Sequence, residues 1–133
     1  MDTIKIIILE GNAVFFNVMK SFFENETCFE IIGESHNANV FMQLNNIENA
    51  DVVFIDIDLD LDNHNGNGFV AAMHVMMNYP KTKVVAVCNV KKYYLEKMLH
   101  KLGFTGIIGK PSFYADILQI MKLLVYKELK YDE

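Results

Sequence analysis

Five short apolar runs, each followed by a stretch of helical periodicity, constrain this chain more than any other feature. They occupy residues 4–9, 29–32, 52–55, 84–87 and 106–108. Rich in Val and Ile, they are nearly continuous rather than alternating. Strands buried on both faces of a parallel sheet read this way. The intervening segments predict helices over 13–24, 38–45, 69–78, 91–102 and 113–127. Asn12 is placed to cap the first, Pro80 stops the third, and Gly103 suits the C-terminus of the fourth. In the first helix Val14, Val18 and Phe22 form one stripe, with Phe15, Met19 and Phe23 beside it. In the last, Ile117, Ile120, Met121 and Leu124 form the inner stripe. The tail 126–133 alternates charges and reads as a fraying helix end.

The resulting order is βαβαβαβαβα. Right-handed crossovers turn it into a doubly wound α/β sandwich around one parallel five-stranded sheet. With 133 residues, no internal repeat and no linker, the chain reads as a single domain over 1–133, its core spanning about 4–125. Seventeen acidic residues against twelve lysines leave a formal charge of −5, which argues against binding a nucleic-acid backbone directly. Cys28 and Cys88 lack metal-binding spacing and read as small buried apolar groups. The apolar run at 4–9 is too short for a signal peptide or a membrane span, so the expected location is cytoplasmic.

In a sheet of this kind chemistry sits at the carboxyl ends of the strands. The first strand ends in Leu9-Glu10-Gly11-Asn12 and the third in Ile55-Asp56, with DIDLDLDNHNGNG from Asp56 onward. The fourth ends in Val87-Cys88-Asn89 and the fifth in Gly109-Lys110-Pro111. Carboxylates beside a lysine at one rim suit a magnesium ion and a phosphoryl group.

Here the chain resembles the receiver domains of two-component response regulators over nearly its whole length. IIILEGN, VVFIDID, VVAVCN and GFTGIIGKP fall in the family's order and spacing. FEIIGES resembles the second strand of receivers attached to helix-turn-helix DNA-binding domains. The resemblance implies a flavodoxin-like (βα)5 fold with strand order 2-1-3-4-5. It implies a phospho-acceptor at Asp56, phosphoryl contact from Lys110, and magnesium (Mg2+) held by Glu10, Asp56 and the backbone carbonyl of Asp58. Such a protein takes its phosphoryl group stoichiometrically from a histidine kinase or phosphotransfer protein and is not an enzyme in its own right. The resemblance also allows a homodimer and an output domain outside this chain.

Departures from the pattern accompany it. Gly11 replaces the second acid of the metal-binding pair, and the Asp58 side chain is the candidate substitute. Cys88 stands where the family has Thr or Ser, and an S–H is a weak donor. Ile107 replaces the switch aromatic. Gly68, which opens the third helix, comes about four residues late. These losses predict weak magnesium assistance and leave a second reading open: a pseudo-receiver that binds partners or dimerises without phosphate control. A third reading is a haloacid-dehalogenase-like phosphatase, which also uses DxD. That family carries the motif on its first strand, and here it follows the third.

Blander readings are preferred elsewhere. Asp60 and Asp62 read as a solvated, cation-attracting loop. Asn63, Asn65, Asn67 and Gly68 mimic a calcium loop, but His74 stands where the closing Glu belongs. His74 among Met73, Met76 and Met77 reads as core packing with one solvated histidine. Lys91, Lys92, Lys97 and Lys101 read as a solvated basic face.

Overall fold

The computed structural model describes residues 3–59 and 66–131. The strands are β1 (Ile4–Leu9), β2 (Phe29–Ser35), β3 (Val52–Asp56), β4 (Lys83–Cys88) and β5 (Gly106–Gly109). The helices are α1 (Ala13–Glu24), α2 (Ala38–Met42), α3 (Gly68–Asn78), α4 (Tyr93–Leu102) and α5 (Phe113–Tyr131). All neighbouring strands are parallel, in the order β2-β1-β3-β4-β5. The expected flavodoxin-like fold is the one observed.

Each strand divides its side chains between two separate cores. Ile7, Leu9, Val53, Ile55, Val84, Ala86 and Ile107 pack under α2, α3 and α4. Ile6, Ile8, Val52, Phe54, Val85, Val87 and Ile108 pack under α1 and α5. Period-two alternation is therefore present, but both faces are apolar, which is why the runs look continuous in sequence.

Several boundaries differ from the sequence expectation. β2 extends three residues further, through Gly33, Glu34 and Ser35, because it lies at the sheet's edge and tolerates polar residues. It also bulges: Ile6 pairs with Ile31 but Ile7 with Gly33, which leaves Ile32 as the extra residue. Helix α2 closes early, at Met42. Helix α4 starts at Tyr93 rather than Lys91. Helix α5 runs four residues beyond its expected end, and Asp132 and Glu133 lie outside the described residues.

The buried stripe of α1 is Phe16, Met19 and Phe23, while Val14 is 75% exposed. The helix is thus rotated from the expected stripe, with Val18 and Phe22 at the margin of the core. Helix α5 buries Ile117, Ile120 and Leu124 as expected, with Met121 only partly covered. Asn12 caps α1 by accepting from the Phe15 N–H at 2.9 Å, and Gly103 closes α4 with a φ of 114°. His74 is half-buried rather than fully solvated. Its Nε2 is buried and lacks a hydrogen-bond partner among the described residues. The acidic-loop residues Asp60 and Asp62, with Asn63 and Asn65 of the calcium-loop pattern, lie outside the described residues. No described helix is long and apolar enough to cross a membrane.

Gly68 ties α3 to the strand that carries the candidate acceptor. A Cβ at this position would collide with the backbone carbonyl oxygen of Asp56, with Ile57 Cα only 3.2 Å away. Backbone cannot yield as a flexible side chain can, so Gly68→Ala is expected to cost about 2 kcal/mol or more. A lower urea midpoint checks this, and a loss under about 0.5 kcal/mol would contradict the close approach.

Candidate functional site

The strand alternation sorts the candidate residues before any contact is considered. Asp56 follows Val52 and Phe54 onto the α1–α5 side of β3. Glu10 continues the parity of Ile6 and Ile8, and Lys110 that of Ile108. Cys88 instead shares the opposite side with Val84 and Ala86, and Ile107 lies there too. Two carboxylates and one ammonium are thereby delivered to the same corner.

They meet. Lys110 Nζ donates to Glu10 Oε2 at 2.9 Å and reaches Asp56 Oδ2 at 3.4 Å. Glu10 is fully buried and Asp56 nearly so, at 4% exposure. Glu10 Oε2 also accepts the Asn12 N–H at 3.0 Å, whereas Glu10 Oε1 is buried without a partner among the described residues. Burial, then the neighbouring Asp56 carboxyl, pushes the Glu10 pKa up to about 7, and the Lys110 bond only partly opposes this. Burial also disfavours the Lys110 charge, but the bond to Glu10 and the charges of both carboxylates outweigh it and raise that pKa. One ammonium cannot balance two buried carboxylates.

The other expected site residues fall nearby with different duties. Asp58 donates its backbone N–H to Asp56 Oδ1 at 2.9 Å, and its own Oδ2 accepts the Asn89 N–H at 2.7 Å. Its side chain thus ties the β3 end to the β4 end. Cys88 is buried, and its thiol points to the Ile108 carbonyl oxygen at 3.5 Å. Burial, together with the charges of Asp58 and Asp116, pushes that thiol to about 11, so it stays protonated and unreactive at neutral pH. Ile107 is sealed in the apolar cluster beneath α3 and α4. Cys28 is free and half-buried.

Two contributors are absent from the sequence expectation. Asp116 of α5 accepts from the Gly109 N–H at 2.9 Å, from Ser112 Oγ at 2.7 Å and from Lys91 Nζ at 2.9 Å. Burial would raise its pKa, but these bonds prevail and hold the carboxyl below its usual range. This carboxylate fixes the turn that presents Lys110, and it pairs with Lys91, which stays exposed as expected. The acid in the first turn of the helix after Lys-Pro-Ser was the available signal. Phe15 is the second contributor: its ring lies 5.2 Å from Lys110 Nζ. Only the fold brings those two together. His36 adds a smaller support, with Nδ1 2.9 Å from the Glu10 carbonyl oxygen and its ring against Phe16.

The donor set fits a hard cation held by few ligands. The orphaned Glu10 oxygen and the uncompensated negative charge favour a cation at this corner, with Asp56 as the second carboxylate. No group of three or more metal-ligating side chains occurs among the described residues.

The raised Glu10 pKa has a defined consequence for stability. Between about 4.5 and about 7 the folded state binds more protons than the unfolded chain, so stability falls as pH rises across that window. Thermal melts in magnesium-free buffer are expected to show this fall, with Glu10→Gln flattening it. A wild-type profile that rises across the same window would contradict the assignment.

No protein-family model matches the chain. Its fold, however, is shared with response regulators and their receiver domains. RcsB from Salmonella typhimurium aligns with a TM-score of 0.80 at 16% identity, over 96% of this chain and 62% of that one. This chain therefore spans under two-thirds of RcsB. The NarL receiver domain from Mycobacterium tuberculosis gives 0.74 at 14%, over 91% and 94% of the two chains. A CheY-like receiver from Methanospirillum hungatei gives 0.75 at 19%, over 98% and 99%. The chain has the fold of a response-regulator receiver domain.

Proposed function

We propose that this chain is a signalling receiver that accepts a phosphoryl group on Asp56 from a phosphohistidine of a kinase or phosphotransfer protein. The observation that carries the reading is the Lys110 ammonium shared between Glu10 and Asp56 at the carboxyl ends of three strands. An Asp56 carboxylate oxygen attacks phosphorus, the P–N bond of the donor breaks with its electron pair going to nitrogen, and the imidazole, already protonated on its other ring nitrogen, leaves neutral. The product is an acyl phosphate on Asp56. Lys110 neutralises the added charge, and Asp58 N–H holds the Asp56 oxygen at which it already donates. Glu10, Asp56 and the Asp58 carbonyl would hold magnesium, which supplies charge neutralisation for the transferring group. The transfer is stoichiometric, and the protein's acidic balance suits protein partners better than nucleic acid. Its working place is the cytoplasm, where such donors act.

A second reading, a partner-binding module indifferent to phosphate, is favoured by one observation. The Cys88 thiol is committed to the Ile108 carbonyl, and Ile107 has no polar atom with which to respond. A hydrogen bond to a charged group contributes about 1.5–3 kcal/mol, and inverting a 1:99 equilibrium takes about 5.5 kcal/mol. Loss of the hydroxyl donor thus removes a large share of the switching energy along that side of the sheet.

Beryllofluoride with magnesium, followed by amide NMR, separates the two. A receiver gives an adduct that disappears in Asp56→Ala, and no response at saturating magnesium identifies the phosphate-indifferent module. Gly11→Asp combined with Cys88→Thr is expected to tighten magnesium binding about tenfold and to lengthen the life of the acyl phosphate. Unchanged values in the double variant would refute this account of the weak site.

A further inference from the structure

The side of the sheet on which the charged cluster lies has a consequence for how a signal leaves it. An ammonium has three N–H donors. Those of Lys110 face Glu10 at 2.9 Å, Asp56 at the longer distance of 3.4 Å, and the ring of Phe15, whose centroid is 5.2 Å from Nζ. That distance is within the range of a cation–π contact, and the 17% exposure of the lysine side chain limits screening. Phe15 in turn meets Phe113 of α5 edge-to-face, with centroids 5.5 Å apart and planes at 88°. Phe113 meets Tyr114 at 5.3 Å and 71°. Phe113 is buried, whereas Tyr114 is 62% exposed. A continuous row of rings thus joins the ammonium to the surface of α5.

Among the described residues, the opposite side offers no equivalent row leading from Lys110. Cys88 and Ile107 lie under α3 and α4, one bonded to a backbone carbonyl and the other enclosed by aliphatic side chains. An anionic group added to Asp56 would act first on the nearest mobile cation, Lys110, which lies on the α1–α5 side.

We propose that Phe15 is a positioning residue for the Lys110 ammonium, and that the row Phe15–Phe113–Tyr114 makes the α1–α5 face the surface that reports the state of the Asp56 site. The ring holds the ammonium between the two carboxylates. When the ammonium moves, the ring it covers moves with it, and the edge contacts carry the displacement to Tyr114. Only the phosphoryl arm of this inference rests on the function proposed above, because the rings and the ammonium are in contact without any ligand.

Aromatic side-chain NMR of the full chain tests it in two arms. In the ligand-free protein, Lys110→Met is expected to shift the Phe15 and Tyr114 ring resonances while leaving Tyr94 of α4 in place. Phe15→Leu, which keeps an apolar group but removes the π face, is expected to block the Tyr114 response to Lys110→Met. Phe15→Tyr restores it. A Tyr114 ring indifferent to Lys110→Met, or a response that survives Phe15→Leu, overturns the proposal, and thermal melts of each variant separate this from unfolding. In the second arm, beryllofluoride with magnesium shifts Tyr114 in the wild type, and Phe15→Leu weakens adduct binding about threefold to tenfold, with rescue by Phe15→Tyr. Adduct formation that leaves Tyr114 unmoved also overturns it. If the wild type forms no adduct while the ligand-free coupling is present, the phosphoryl-acceptor reading fails and the positioning role stands.

Discussion

One ammonium shared by two buried carboxylates governs the carboxyl edge of this sheet. Lys110 and Glu10 are 100 residues apart in sequence, yet their charges are 2.9 Å apart in a corner almost closed to water. Removing Lys110 would leave two buried carboxylates uncompensated, which costs far more than an exposed ion pair contributes. The pairing therefore holds the ends of β1, β3 and β5 in register. Asp116 reinforces it from α5 by gripping the Gly109 N–H and Ser112, and so fixes the turn from which Lys110 extends. Even so, two negative charges against one positive leave the corner short of a cation. Burial, and then the neighbouring Asp56 carboxyl, raise the Glu10 pKa, so the corner favours a proton on Glu10.

Sheet geometry then divides the functional apparatus. Alternation along each strand sends Glu10, Asp56 and Lys110 toward α1 and α5, and Cys88 and Ile107 toward α3 and α4. The charged half keeps its acid–lysine chemistry. The other half is apolar at these positions: a thiol that donates toward a backbone carbonyl and a branched aliphatic in a buried cluster. On the charged side, Phe15, Phe22, Phe113 and Tyr114 meet edge-to-face.

Much of this was legible in the sequence. Five Val/Ile-rich runs with helical spacers specify a parallel α/β sheet, because only strands covered on both faces carry such runs. Strand order and the meeting of Asp56 with Lys110 were implied by the resemblance to receiver domains that the strand-end motifs carry. The misplaced features share a cause: they depend on neighbours distant in the chain. β2 ends in polar residues because it lies at the edge, which no local pattern announces. Phe16, rather than Val14, faces the core because α1 settles against Phe54 and α5. The contact of Phe15 with Lys110, and the grip of Asp116 on Lys91, join segments that only the folded sheet brings together. Gly68 was visible as the residue that opens α3, but its need for a bare Cα arises from the Asp56 carbonyl.

The role proposed for the Asp56 carboxylate is that of a phosphoryl acceptor. Its most direct test uses phosphoramidate, a small donor with the same P–N bond as phosphohistidine, in magnesium-containing buffer, followed by intact mass and peptide mapping. The account predicts one hydroxylamine-labile phosphoryl group, mapped to Asp56 and absent from Asp56→Ala. No labile phosphoryl group at saturating donor and magnesium, or one on another residue, would contradict it.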